Sequence, residues 1–319
     1  MAQNTPARRV SLGTSDLTVY PLSLGGNVFG WTADEAESFA VLDAYAAAGG
    51  DFVDTADAYS AWVEGHSGGE SESVLGRWLA SRGNRDGIVL ATKVGAHPEL
   101  KGLKPETIRA AADASLRRLG TDRIDLYYTH YDDESVPVED IIGTLDELVK
   151  AGKVRQIAAS NISPERLRAS LEFSRREGLA GYVALQPHYN LVSRDTYEGE
   201  LASVAEEFGL SALPYYGLAA GFLTGKYQPG SVAEGARANR VQPYLESERG
   251  RRVLEALAAV AAETGAEQAS VALAWLRAQP TVAAPIASAR SEGQLPALLA
   301  SATLELTPEQ VTRLTAASA

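Results

Sequence analysis

Residues 52–59 read FVDTADAY, an apolar pair running into Asp54 and Asp57 with Tyr59 just beyond. Two carboxylates and a phenol so close together suit an acid/base device, a metal site, or a polar turn after a strand. Further along, Lys93 lies in the apolar run GIVLATKVG and His130 ends DRIDLYYTH. Each has a plain structural account when read alone. A strand-end Asp is commonly a turn or cap residue, a lysine is commonly solvated, and a histidine among apolar neighbours is as readily a core residue bonded to backbone. Together they argue differently. A buried Lys and Asp are costly unless they pair, and a charged pair beside a phenol tunes its acidity.

The rival chemistries fit less well. The four histidines, His66, His97, His130 and His188, form neither HxH nor HExxH spacing, and the loop settings of His66 and His97 point to solvent. Asp54 and Asp57 come from one turn, whereas a glycosidase pair flanks its bond from opposite sides. The acidic run Asp132-Asp133-Glu134 suits the dipole of a helix beginning soon after Pro137. GGNVFG at 25–30 lacks both the dinucleotide fingerprint and the P-loop lysine. The Gly-rich stretch GLAAGFLTGK at 217–226 and SARSEGQ beyond it are either loops with exposed cations or an anion cradle in which Lys226 and Arg290 supply positive charge.

Something must bring these residues together, and the rhythm of the chain supplies it. Strand-like runs occur at 20–25, 51–56, 87–95, 122–130, 154–160, 181–186, 211–216 and 281–287, separated by amphipathic helical stretches. Helix starts are marked at Thr32, Lys104-Pro105 and Ser163-Pro164, and helix ends at Gly49-Gly50, Gly120 and Gly178. Eight strand–helix units predict an α/β fold, a (β/α)8 TIM barrel, with the active face at the strand C-terminal ends. The first residues, RRVSLGTSDLTVY, predict an N-terminal β-hairpin, and 226–250 reads as a long polar loop. No repeat or linker divides the chain, so residues 1–319 read as a single domain.

Composition narrows the function. With 45% hydrophobic residues the chain can build a large core. A net charge of −12 opposes nucleic-acid and anionic-membrane surfaces. The absence of cysteine excludes thiol nucleophiles, disulfides and Cys-ligated metals. No signal-peptide core and no apolar run of ~20 residues is present, so a cytoplasmic protein is expected.

The ordered series DTADAY, GGESESVLGRWL, ATKVG, DRIDLYYTH, LVKAGKVRQIAASN, LQPHYNLV, YYGLAAGFLTGKY and PIASARSEGQL resembles the aldo-keto reductase superfamily along nearly the whole chain. The resemblance implies a barrel that binds NADPH, or in some members NADH, and reduces a small-molecule aldehyde or ketone, sugar-derived carbonyls among them. It implies a catalytic tetrad of Asp54, Tyr59, Lys93 and His130, with Tyr59 as proton donor. Ser160, Asn161 and Gln186 would hold the nicotinamide carboxamide and Tyr215 would stack on the ring. Gly217, Leu218, Gly221 and Lys226 would meet the pyrophosphate, and Ser288, Arg290 and Gln294 the adenosine end with its 2′-phosphate. Gly217, Gly293 and Leu298 depart from residues common in the family. Val28, Phe29, Trp31, Trp62 and Tyr131 are expected to line the substrate mouth. Two alternatives stand beside this reading: a cofactor-binding regulatory subunit of a channel, and a metal-dependent barrel hydrolase.

Overall fold

The computed structural model describes residues 7–228, 230–233 and 238–319. A hairpin comes first, β1 (Val10–Ser11) paired antiparallel with β2 (Thr18–Val19). The eight expected runs then form β3 (Ser23–Gly25), β4 (Phe52–Asp54), β5 (Val89–Val94), β8 (Ile124–Thr129), β9 (Val154–Ser160), β10 (Tyr182–Gln186), β11 (Ser211–Ala212) and β12 (Ile286–Ala287). Between β5 and β8, β6 (Ala96–His97) and β7 (Leu100–Lys101) add a small hairpin that the sequence rhythm did not predict. The eight-stranded sheet is parallel throughout, in the order β11-β10-β9-β8-β5-β4-β3-β12. Its edges meet: the amide of Ala283 donates to Ala212 at 3.0 Å and that of Ile286 to Pro214 at 2.8 Å. This is a (β/α)8 barrel.

The helices follow from local signals. α1 (Glu35–Ala47) begins at a capping box of Asp34 and Glu37, two residues beyond the expected Thr32, because the aspartate side chain reaches the Glu37 amide. α2 spans Glu70–Arg82. α3 (Pro105–Leu119) starts on proline and ends at left-handed Gly120, and α4 (Val138–Lys150) follows Pro137 as expected. α5 (Pro164–Glu177) is capped by Ser163 and closed by Gly178. α6 covers Glu200–Phe208. The region 226–250 is not one polar loop: Ala238–Glu246 form α7, and α8 (Glu248–Thr264) starts from Ser247. The apolar residues Val241, Val253 and Leu254 are buried there, a pattern hidden by the surrounding charges. Residues 229 and 234–237 of that stretch lie outside the described residues. Among the described residues no helix is long and apolar enough to cross a membrane.

Two-residue periodicity sets the barrel interior. Phe52, Ala91, Leu126, Ala158 and Ala184 form an apolar layer with Leu12, Leu17 and Val19 of the hairpin. Two residues further along the same strands stand Asp54, Lys93, Tyr128, Ser160 and Gln186. The apolar layer is thus the floor beneath the polar one, and the hairpin closes the bottom.

Gly13 makes that closure possible. Its φ is 52°, and an added Cβ would lie 2.1 Å from the Val183 carbonyl oxygen. Gly13→Ala combines left-handed strain with a backbone clash and is expected to lower stability by about 3 kcal/mol. Urea denaturation checks this, and an unchanged midpoint would contradict the plug.

Candidate active site

The parallel register brings Asp54, Lys93 and His130 to neighbouring strand ends, and Tyr59 follows on the turn after β4. Lys93 is 0% exposed. Its ammonium donates to Asp54 Oδ2 at 2.6 Å, to the Thr55 carbonyl at 2.8 Å and to the Tyr59 hydroxyl at 2.7 Å. All three protons have partners, which makes burial of the charge tolerable. Asp54 is held in turn by Gln186, whose side-chain nitrogen donates to Oδ1 at 2.8 Å. Neither this bond nor the Thr55 carbonyl is legible in the sequence, because a backbone acceptor and a glutamine 132 residues away leave no local pattern.

Burial pulls the Lys93 ammonium below its ordinary range, and Asp54 opposes that pull. Burial, with Asp54 second, holds the Tyr59 phenol well above its ordinary value of 10. In this protein Tyr59 rests as a neutral donor, and the nearby ammonium counters the charge it acquires on losing its proton. Burial and then the Lys93 charge push His130 down to about 3, so its imidazole is neutral. Its Nδ1 is covered without a partner, its ring stands 6.1 Å from that of Tyr59, and Tyr131 stacks on it at 4.8 Å. A neutral imidazole beside a neutral phenol can donate to one oxygen atom.

Ser160, Asn161 and Tyr215 form a second connected group. Ser160 Oγ donates to the Gln186 carbonyl at 2.8 Å, and Asn161 donates to the His130 carbonyl at 2.8 Å and to Ser160 at 3.0 Å. The Tyr215 hydroxyl donates to Asn161 Oδ1 at 2.9 Å, while His188 stacks on its ring. After β11 the loop turns through Ala219, Ala220 and Gly221, all with positive φ, and brings Lys226 Nζ to 3.4 Å from where a Cβ on Gly221 would lie. Gly217 passes against Leu273 and Leu276, and Leu218 packs on the core. Ser288 donates to Asn27 at 2.5 Å, and Gln294 accepts the Arg290 amide at 2.9 Å, leaving the Arg290 side chain exposed. Polar and cationic groups thus run from the tetrad toward the ends of β11 and β12, a donor set suited to a long anionic cofactor. Of the six non-glycine residues with positive φ among the described residues, Ser60, Asn161, Tyr216, Ala219 and Ala220 border this face. Backbone strain concentrates where ligands would sit.

The mouth differs from expectation in two places. Val28 and Phe29 are 1% and 0% exposed and belong to the core, because Val28 carries the carbonyl that Trp31, Thr32 and Ala33 turn around. Trp31 and Trp62 stand edge to face at 5.3 Å, and Tyr59 meets Trp62 at 6.2 Å. Trp62, Tyr131 and Tyr216 are large aromatics exposed to solvent. Nothing in the sequence separates Tyr216 as a wall residue from its neighbour, the stacking candidate Tyr215. His97, expected in solvent, is 6% exposed, since β6 folds it inward. A cavity of about 990 Å³ lined by Trp31, His66, His97 and Arg118 lies outside the tetrad, none of whose residues line it.

The neutral His130 has a consequence for stability. Folded, it stays unprotonated down to about 3, whereas its ordinary value is 6.5. The unfolded chain takes the proton first as pH falls, so this site withdraws stability between roughly pH 6.5 and 3, on the order of 5 kcal/mol in full. His130→Gln should lose less stability than the unsubstituted protein between pH 6.5 and 4. Parallel losses in denaturation at the two pH values would contradict a buried neutral imidazole.

Residues 21–319 match the Aldo/keto reductase family. The uncharacterized oxidoreductase YrpG of Bacillus subtilis is 34% identical over 293 residues, covering 89% of this chain and 87% of that protein. Norsolorinic acid reductase stcV of Emericella nidulans is 32% identical over 322 residues, 95% of this chain and 79% of its own length. A probable voltage-gated potassium channel subunit beta of Oryza sativa is 31% identical over 296 residues, 89% and 88% of the two chains. With the match reaching from the first barrel strand to the last residue, this chain belongs to the aldo/keto reductase family.

Proposed function

We propose that the protein, acting as one barrel domain over residues 1–319, reduces an aldehyde or ketone to an alcohol with NADPH. The observation that carries this is the Lys93 ammonium bonded at once to Asp54 and Tyr59. Carbonyl reduction is the chemistry expected of the family, whose members generally use NAD(P)H, and bound NADPH supplies the hydride. The residues of this chain do the rest. Tyr59 donates its proton to the carbonyl oxygen as negative charge builds there, Lys93 offsets the charge left on the phenol, and Asp54 keeps Lys93 protonated and aimed. His130 donates a second hydrogen bond and fixes the oxygen.

The wall of Trp31, Trp62, Tyr131 and Tyr216 favours flat, apolar carbonyl compounds, since rings gain from edge and face contacts. Ser160, Asn161, Gln186 and Tyr215 are assigned to the nicotinamide, the 217–226 loop with Lys226 to the pyrophosphate, and Ser288 with Arg290 to the 2′-phosphate. A channel-subunit role rests only on the name of one relative, and it predicts cofactor binding without turnover.

Tyr59→Phe is expected to lower kcat for 4-nitrobenzaldehyde about 10²- to 10⁴-fold while NADPH affinity by fluorescence titration holds. Intact turnover would overturn the assignment. Arg290→Ala should raise KM for NADPH about tenfold through loss of a charge-assisted bond and leave KM for NADH in place. Equal effects on both nucleotides would remove Arg290 from the 2′-phosphate.

A further inference from the structure

Asp57, the second acid of FVDTADAY, takes no part in the mechanism above. It is not a surface turn residue: it is 1% exposed, and neither carboxyl oxygen has a partner. Buried polar atoms without partners are uncommon enough to require a reason. Its amide donates to the Lys93 carbonyl at 3.3 Å, so it lies directly behind the tetrad. The charges of Glu72 on α2, Arg118 on α3 and Lys93 on β5 act on its carboxyl, which in turn acts on the Tyr127 phenol of β8. The His97 ring of β6 and the backbone carbonyl of Asp57 both crowd the position of Gly68. The Glu72 carboxylate is already taken, by Thr92 at 2.6 Å and by Arg118 at 2.6 Å. The Tyr127 hydroxyl is likewise buried without a partner.

Burial first, and the Glu72 charge second, push the Asp57 carboxyl up to about 8 against the pull of Arg118 and Lys93. At neutral pH it is a neutral acid.

We propose that Asp57 is a positioning residue for the tetrad, acting through the Lys93 ammonium on how readily Tyr59 gives up its proton. This rests on the reading of Tyr59 as proton donor. The three protons of Lys93 are committed, so the ammonium helps Tyr59 through its charge. While Asp57 keeps its proton, Asp54 is the anion bonded to that charge. When Asp57 releases its proton to solvent, a second anion acts on the same ammonium, and the phenolate left after proton transfer is less stabilised. Tyr59 then becomes a poorer acid, and reduction slows on the alkaline side.

The test is the pH profile of kcat for 4-nitrobenzaldehyde reduction by NADPH in the full chain and in Asp57→Asn, Glu72→Gln and Tyr59→Phe. Asp57→Asn should move the alkaline limb upward, raising the ratio of kcat at pH 9 to that at pH 6.5 about tenfold, one pH unit of displacement. Glu72→Gln should move the limb downward, because it removes the anion that keeps Asp57 protonated. A general loss of negative charge near Lys93 would move it upward instead, so an upward shift in Glu72→Gln overturns the proposal. So do superimposed profiles of Asp57→Asn and the unsubstituted protein when Tyr59→Phe is inactive. Turnover surviving in Tyr59→Phe overturns the proton-donor reading together with this one. Should Asp57→Asn fail to fold, the direction of the Glu72→Gln shift decides alone.

Discussion

The site depends on one unfavourable act, the burial of a lysine ammonium at the centre of a barrel. A charge with no access to water must find every compensation inside the protein. Here the compensation comes from Asp54, the Thr55 carbonyl and Tyr59, all from β4 and the turn that leaves it. That turn cannot be lengthened or re-aimed without exposing Lys93 or leaving it unpaired. Gln186 extends the constraint across the barrel by fixing the free oxygen of Asp54. The same low-dielectric setting that makes the charge expensive also makes it effective on a phenol 2.7 Å away.

The barrel supplies this arrangement through register. Because inward side chains repeat every second residue, the floor layer of Phe52, Ala91, Leu126, Ala158 and Ala184 dictates that Asp54, Lys93, Tyr128, Ser160 and Gln186 stand one layer above. The small residues of that floor leave room for Leu12, Leu17 and Val19 to enter from below. A slip of one residue in any strand would exchange an inward polar group for an outward apolar one, so packing and chemistry enforce the same alignment.

What could be read in advance was what local pattern encodes. The eight strands, the caps at Ser163 and Gly120, and the strand-end positions of Asp54, Lys93 and His130 all follow from periodicity and turn chemistry within short windows. What escaped depends on tertiary contact. Val28 and Phe29 look like wall residues because they follow a strand end, yet a tight turn about the Val28 carbonyl folds them inward. The helix over Ala238–Glu246 was masked by a polar composition and by Pro243 within it. Asp57 looked like a turn residue because nothing in DTADAY tells which of two acids is covered. Burial of His97 rests on the hairpin of β6 and β7, each only two residues long and too short to leave a pattern.

The two ends of the barrel are built from opposite materials. The lower end is closed by Gly13 and a hairpin pressed against backbone, where even a methyl group has no space. The upper end carries Trp62, Tyr131 and Tyr216 on loops, exposed to solvent and largely free of the core. Substitutions at such exposed positions usually change stability by no more than about 0.5 kcal/mol. Sequence drift is therefore cheap at the entrance and forbidden at the base. A lineage carrying this scaffold can change which carbonyl compounds it admits, while the buried charge beneath them and the plug below that stay as they are.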